Sequence, residues 1–162
     1  MGGTDHLGEP VRIAAALPAD AGDWLALRTT LWPRGAGGDH ENEIMRLLAN
    51  AGDTINLLAR TDAGEAMGFA EASLRRDYVN GCRTSPVAFL EGIYVLPAAR
   101  GRGVARALVT AVEDWGRAQG CTEFASDASL DNVGSHAMHR ALGFEETQRV
   151  VFFRKALDLT LR

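Results

Sequence analysis

The chain has 162 residues, 17 Lys and Arg against 21 Asp and Glu for a formal charge of −4, and 46% hydrophobic against 23% charged residues. This composition fills a core and argues against disorder, and the longest apolar runs fall well short of a membrane span. No Lys/Arg-rich block supplies the cationic face that nucleic acid requires, so a small cationic partner fits the acidic balance better.

In chain order, residues 1–10 read as a flexible leader without the basic and apolar stretches of a secretory signal. Residues 11–157 follow as one domain and 158–162 as a tail. Val11 to Ala15 suits a short strand. Pro18-Ala19-Asp20 opens a helix in which Trp24, Leu27 and Leu31 share a face, stopped by Trp32-Pro33. Arg34 to Gly38 reads as a mobile connector, and Asp39 caps a second helix carrying Ile44, Leu47 and Leu48. Thr54 to Arg60 and Ala66 to Arg76 form a hairpin around Asp62-Ala63-Gly64. Val87 to Val95 is an apolar strand interrupted by one acid, Glu91. Gly103 to Gln119 carries the helical stripe Val104, Leu108, Ala111, Val112 and Trp115. A strand around Thr122 to Ser126, a helix from Val133 to Leu142 and a strand from Thr147 to Phe153 complete the reading. The order predicts an α/β chain with a mixed sheet and helices on its faces.

The most informative run leads from strand through a proline turn into a glycine-rich helix start: Val95-Leu96-Pro97-Ala98-Ala99-Arg100-Gly101-Arg102-Gly103-Val104-Ala105. Such a start offers unpaired N–H groups at the positive end of a helix dipole, and Arg100, Arg102 and Arg106 add charge. A Walker loop is excluded because no Gly-Lys-Ser/Thr follows. The dinucleotide fingerprint breaks at Arg106, which stands where its third glycine belongs.

What remains, Arg100-x-x-Gly103-x-Ala105 between strand and amphipathic helix, resembles the pyrophosphate loop of the GCN5-related N-acetyltransferases (GNAT). Asn132 ahead of a helix that ends in Gly143-Phe144 is similar to that family's next characteristic stretch. The resemblance implies the GNAT fold, an α+β arrangement with a mixed, mostly antiparallel twisted sheet and helices on both faces. It also implies acetyl-coenzyme A as cosubstrate. Ile93 and Val95 would then pair with the pantetheine arm. The N–H groups of Arg102, Gly103, Val104, Ala105 and Arg106 would hold the pyrophosphate beside Arg100, and Asn132 would lie close by. His139 stands where many relatives carry a tyrosine that protonates the leaving thiolate.

An amine must lose its proton to attack a thioester, and the thioester oxygen needs a donor. Glu91 and Asp127 are the candidate proton acceptors, with the Val95 N–H as oxyanion donor. The alternatives are that Asp127 caps a turn with Ser126 and Ser129 and that Glu91 pairs with an arginine at the core edge. Leu31-Trp32-Pro33, Arg75-Arg76-Asp77-Tyr78-Val79-Asn80-Gly81-Cys82, Phe89-Leu90-Glu91-Gly92-Ile93 and Gly143-Phe144-Glu145-Glu146-Thr147 resemble aminoglycoside 6'-N-acetyltransferases. That likeness implies transfer to the 6'-amine of antibiotics such as kanamycin and tobramycin, antibiotic resistance, and a homodimer. A polyamine sugar fits a cleft lined by Glu91, Asp127, Glu145 and Glu146, with Tyr78 and Trp32 stacking on sugar faces. Trp32 suits a core position as well, and the two acids at 145 and 146 suit a solvated turn.

Cys82 and Cys121 form no CxxC motif, which points to a reducing cytoplasm, and His136 and His139 lack a third ligand, so no metal is expected. Three rivals stand beside the main reading. One is a GNAT enzyme acting on a protein N-terminus or a small polyamine. Another is a cysteine acyltransferase using Cys82 or Cys121, and the third is a coenzyme-A-sensing domain without turnover.

Overall fold

Side chains of neighbouring strands alternate between two environments, and the pairing register shows which residues share a face. The computed structural model describes residues 10–33 and 39–158. The connector at 34–38, the leader through residue 9 and the tail from residue 159 lie outside the described residues. The chain divides into two units, Met1–Asp127 and Ala128–Arg162.

The first unit holds five strands in sequence order, β1 (Arg12–Ala15), β2 (Thr54–Arg60), β3 (Ala66–Arg75), β4 (Val87–Val95) and β5 (Phe124–Ser126). All neighbours are antiparallel except β4 and β5, which run parallel. Thr54, Asn56 and Leu58 oppose Ser73, Glu71 and Phe69 on one face, whereas Ile55 and Leu57 oppose Ala72 and Ala70 on the other. Two helices cover the first face: α1 (Ala21–Leu31), entered through a 3-10 turn at Pro18–Asp20, and α2 (His40–Ala49). Trp24 and Leu27 of α1 and Ile44 of α2 form one buried cluster with Leu58 and Phe69. Asp39 caps α2 by accepting from the Asn42 N–H at 3.2 Å.

The opposite face is covered by α3 (Val104–Ala118). Its apolar stripe buries Val104, Leu108 and Val112, each contributing about 1.5–3 kcal/mol. Gly116 lies so close to β4 that a Cβ there would come within 2.9 Å of the Ala88 Cβ. The expected mixed sheet with helices on both faces is thus present. On β4 the register slips between the Glu71–Gly92 and Ala72–Leu90 pairs, and Glu91 is left without an opposing residue. This is a β-bulge, which turns one side chain out of the ladder.

In the second unit α4 (Val133–Ala141) is capped by Asn132, whose Oδ1 accepts from the Ser135 N–H at 3.1 Å. Gly143, at φ 91°, closes it. The strand expected from Thr147 to Phe153 does not form: the sheet ends at β5, and residues 144–158 carry no strand or helix. A strand persists only where its N–H and C=O groups meet a neighbour and its apolar face meets a core. Here Phe152 and Phe153 are 89% and 93% exposed. Among the described residues no helix is long and apolar enough to cross a membrane.

Candidate active site

Beyond β4 the chain passes through a 3-10 turn at Pro97–Ala99 and then through Gly101 and Gly103, at φ 73° and 79°. Both glycines are in the left-handed region that side chains disfavour. Gly103 is the N-cap of α3 and brings no side chain to it, and the first residue to bond back is Ala107, whose N–H donates to the Gly103 carbonyl at 3.0 Å. The N–H groups of Val104 and Ala105 therefore have no partner within the helix, and its first turn holds no acid. This 15-residue helix presents the positive end of its dipole at a first turn without an acid, beside Arg102 and Arg106. Arg100 is engaged differently: its Nε donates to the Val95 carbonyl at 3.0 Å and its guanidinium lies 5.7 Å from the Tyr94 ring centre. It ties the end of β4 to the start of the loop. Ile93 and Val95 stand on the face of β4 that α3 covers, opposite Ala70 and Gly68.

The carboxylates stand one step past the last β4–β5 pair, Leu90–Ser126. Glu91, in the bulge, accepts from Ser73 Oγ at 2.5 Å, Arg75 Nε at 3.1 Å and Arg75 Nη2 at 2.8 Å. Arg75 in turn lies 3.5 Å over the Phe89 ring. Both Glu91 oxygens are thereby committed, so this residue acts as a fixed negative charge. Asp127 is exposed and has no protein partner among the described residues. Of the two, Asp127 is the group free to take a proton.

Beside Glu91 a cavity of about 300 Å³ opens beneath α1 and α2, lined by Arg28, Trp32, Glu43, Thr54, Asn56 and Glu71 among others. Thr54 Oγ1 and Asn56 Oδ1 are buried there without a hydrogen-bond partner. Such orphaned atoms call for a donor or acceptor from outside the protein. Trp32 is held from several sides: its ring meets Phe69 edge-on at 6.2 Å between centres, and the Arg28 guanidinium sits 5.0 Å from it. The ring also covers Gly92, where a Cβ would fall 2.5 Å from Trp32 Cζ2. Trp32 is therefore part core and part cavity wall. Gly92→Ala is expected to push the indole off β4 and to destabilise the fold by about 1–3 kcal/mol, read as a lower urea midpoint at unchanged slope.

Sequence reasoning missed the group beneath this wall. Glu71 Oε1 accepts from Trp24 Nε1 at 2.8 Å and Arg28 Nε at 2.7 Å. Arg28 Nη1 also donates to His40 Nδ1 at 2.8 Å, which leaves the His40 Nε2–H to donate to the Trp32 carbonyl at 3.0 Å. Burial pushes the Glu71 carboxyl up from its ordinary value, while Arg28 and Trp24 pull it back. The signal was a single acid in the apolar run Ala66–Arg75, the same signal that marked Glu91.

Tyr78 is 77% exposed on the loop between β3 and β4, as a ligand contact requires. The remaining candidates lie in the second unit. Asn132 is the cap of α4, and Glu146 accepts from Arg140 and Arg149, with Arg149 first in holding its carboxyl below the usual range. Glu145 is exposed without a protein partner among the described residues. His139 packs edge-on against Phe144 at 5.2 Å, and its Nδ1 lies 2.7 Å from the Ser135 carbonyl. A carbonyl only accepts, so Nδ1 donates in this contact. Burial raises both cysteine thiols above their ordinary values, Glu123 adding to the shift at Cys82, which opposes a thiolate nucleophile. Among the described residues no group of three or more His, Cys, Asp or Glu is arranged to hold a metal ion.

The model of the acetyltransferase (GNAT) family matches residues 22–144. The chain belongs to the GNAT family. Among its GNAT relatives, an aminoglycoside N(6')-acetyltransferase type 1 of Acinetobacter baumannii is 57% identical over 82% of this chain and 90% of its own length. The crystal structure of aminoglycoside antibiotic 6'-N-acetyltransferase AAC(6')-Ih from Acinetobacter baumannii has a TM-score of 0.85 at 50% identity, over 92% of this chain and 100% of that one. A further GNAT structure, AAC(6')-Iy in complex with the bisubstrate analogue CoA-S-monomethyl-acetylneamine, has a TM-score of 0.85 at 46% identity, over 91% and 99%.

Proposed function

We propose that this protein is an aminoglycoside 6'-N-acetyltransferase that moves the acetyl group of acetyl-coenzyme A directly to the 6'-amine of the antibiotic and so confers resistance. The observation that carries the reading is the pairing, within Met1–Asp127, of the open N-terminus of α3 with two carboxylates at the end of the β4–β5 pairing. The relatives' names give the acceptor. Acetyl-coenzyme A supplies a thioester and an anionic diphosphate handle. The N–H groups of Gly103, Val104, Ala105 and Arg106, with Arg102, receive that handle. Ile93 and Val95 align the pantetheine arm, and the Val95 N–H faces the charge that develops on the thioester oxygen.

Asp127, directly or through a water, takes the proton of the 6'-ammonium. The free amine nitrogen then bonds to the thioester carbon and gives up its second proton, the carbon–sulfur bond breaks, and the sulfur leaves with the electron pair and takes a proton to become the thiol. His139 and Asn132 belong to this reading by family resemblance, His139 as proton donor and Asn132 near the cosubstrate. Glu91, Glu145 and Glu146 attract the polycation, and Tyr78 and Trp32 offer aromatic faces to its rings. Thiol release with acetyl-coenzyme A should be rapid with a kanamycin-type acceptor and absent with the analogue that bears a 6'-hydroxyl. Equal rates with both would refute the acceptor assignment.

A homodimer belongs to the same proposal. Val150, Val151, Phe152 and Phe153 form a consecutive apolar run exposed at 50% or more, more contiguous apolar surface than a soluble monomer ordinarily leaves uncovered. Sedimentation should give twice the monomer mass, and the double variant Phe152→Asp, Phe153→Asp should shift it towards one. A cytoplasmic setting, where acetyl-coenzyme A is available, completes the reading, with neither nucleic acid nor membrane as partner.

A further inference from the structure

The loop between β3 and β4 spans residues 76–86, and its path is fixed at several points. Val79 is buried against Val87 and Phe89, which turns its neighbour Tyr78 outward into solvent. Ser85 Oγ donates to the Arg76 carbonyl at 2.9 Å, and Arg76 is paired with Asp53 at 2.6 Å. These contacts close the base of the loop. The returning limb has no ladder of its own, and ahead of Ser85 one carboxylate oxygen gathers three of its donors. Glu123 Oε1 accepts from the Arg83 N–H at 2.8 Å, the Thr84 N–H at 2.7 Å and Thr84 Oγ1 at 2.5 Å. Those donors keep the Glu123 carboxyl below its usual range, with Thr84 Oγ1 the largest cause.

Glu123 also has a place in the sheet. Its carbonyl accepts from the Ala88 N–H at 3.2 Å, just ahead of the first β4–β5 pair, Ala88–Phe124. The strand that begins beyond it, Phe124–Ser126, is followed directly by Asp127. One short strand therefore joins the clamp on the loop to the free carboxylate. An aromatic side chain held outward on a pinned loop has its ordering completed before a ligand arrives, which is how binding surfaces are preorganised.

We propose that Glu123 is a positioning residue for the acceptor: it fixes the loop that presents Tyr78 relative to Asp127. The assignment rests on Tyr78 being an acceptor contact, as proposed above. Without the clamp the loop samples other conformations, and the acceptor must select the one in which Tyr78 meets it. Ground-state and transition-state binding weaken together, so the effect falls on the acceptor KM and not on kcat.

The test is steady-state kinetics with acetyl-coenzyme A and a kanamycin-type aminoglycoside for Glu123→Ala, Glu123→Gln, Tyr78→Ala and the double variant Tyr78→Ala, Glu123→Ala. Glu123→Ala should raise the acceptor KM by about threefold to tenfold, the range set by ordering one or two side chains. The KM for acetyl-coenzyme A and kcat should stay near the parent's. Glu123→Gln, which keeps an accepting oxygen and folds with the least disturbance, should recover part of the loss. The double variant should be no worse than Tyr78→Ala alone. A parental acceptor KM in both Glu123 variants, or losses that multiply in the double variant, overturns the proposal while leaving the Tyr78 contact standing. A parental KM in Tyr78→Ala overturns the contact and the proposal with it.

Discussion

Asp127→Asn is expected to lower kcat by about 10²- to 10⁴-fold, the contribution of a well-placed general base. The substitution keeps the shape and removes the proton acceptor, and Asp127 is exposed with no protein partner among the described residues. The KM for acetyl-coenzyme A should hardly move. Glu91→Gln should behave differently, because its carboxylate is held by Ser73 and Arg75. Its main effect falls on acceptor KM, through the lost negative charge and a displaced Arg75. Thiol release followed across pH for both variants separates the roles, and an unchanged kcat for Asp127→Asn would remove the proton route.

Glu71→Ala carries the largest expected loss of stability, about 3–5 kcal/mol, the usual consequence of leaving one member of a buried ion pair alone. The Arg28 and Glu71 side chains are only 11% and 6% exposed. Removing the carboxylate strands the Arg28 guanidinium and the Trp24 N–H together, and it loosens the tie that runs through His40 to the end of α1. Replacing both partners, Arg28→Met with Glu71→Leu, should be markedly milder, because no buried charge is then left unpaired. Urea unfolding gives both values. Equal stability of parent and Glu71→Ala would show that the network adds nothing to the fold.

Some local signals were legible in the sequence to the residue. Thr54–Arg60 and Val87–Val95 have the bounds their β-branched and apolar content indicates, and Asp39 and Gly103 open their helices as read. Spatial partners were not. Glu91 stood out as one acid in an apolar strand, yet its commitment to Arg75, 16 positions away, follows from the β3–β4 register and the bulge. Arg100 reads as a phosphate ligand because the loop is basic, but the bond from its Nε to the Val95 carbonyl was not visible in the sequence. Glu71 and Glu123 act through partners 43 and 40 positions distant, and no local pattern encodes such pairs. The segment from Thr147 to Phe153 has strand content, but a strand also needs a neighbour, which its own residues do not specify.

The claim on which everything else depends is that the first turn of α3 holds the diphosphate of the acetyl donor. Amide proton–nitrogen spectra recorded while coenzyme A is added test this most directly. The account predicts the largest shifts at the Gly103, Val104, Ala105 and Arg106 amides, and much smaller ones there with pantetheine, which lacks the diphosphate. Shifts that leave those four amides in place while marking another part of the chain would contradict it.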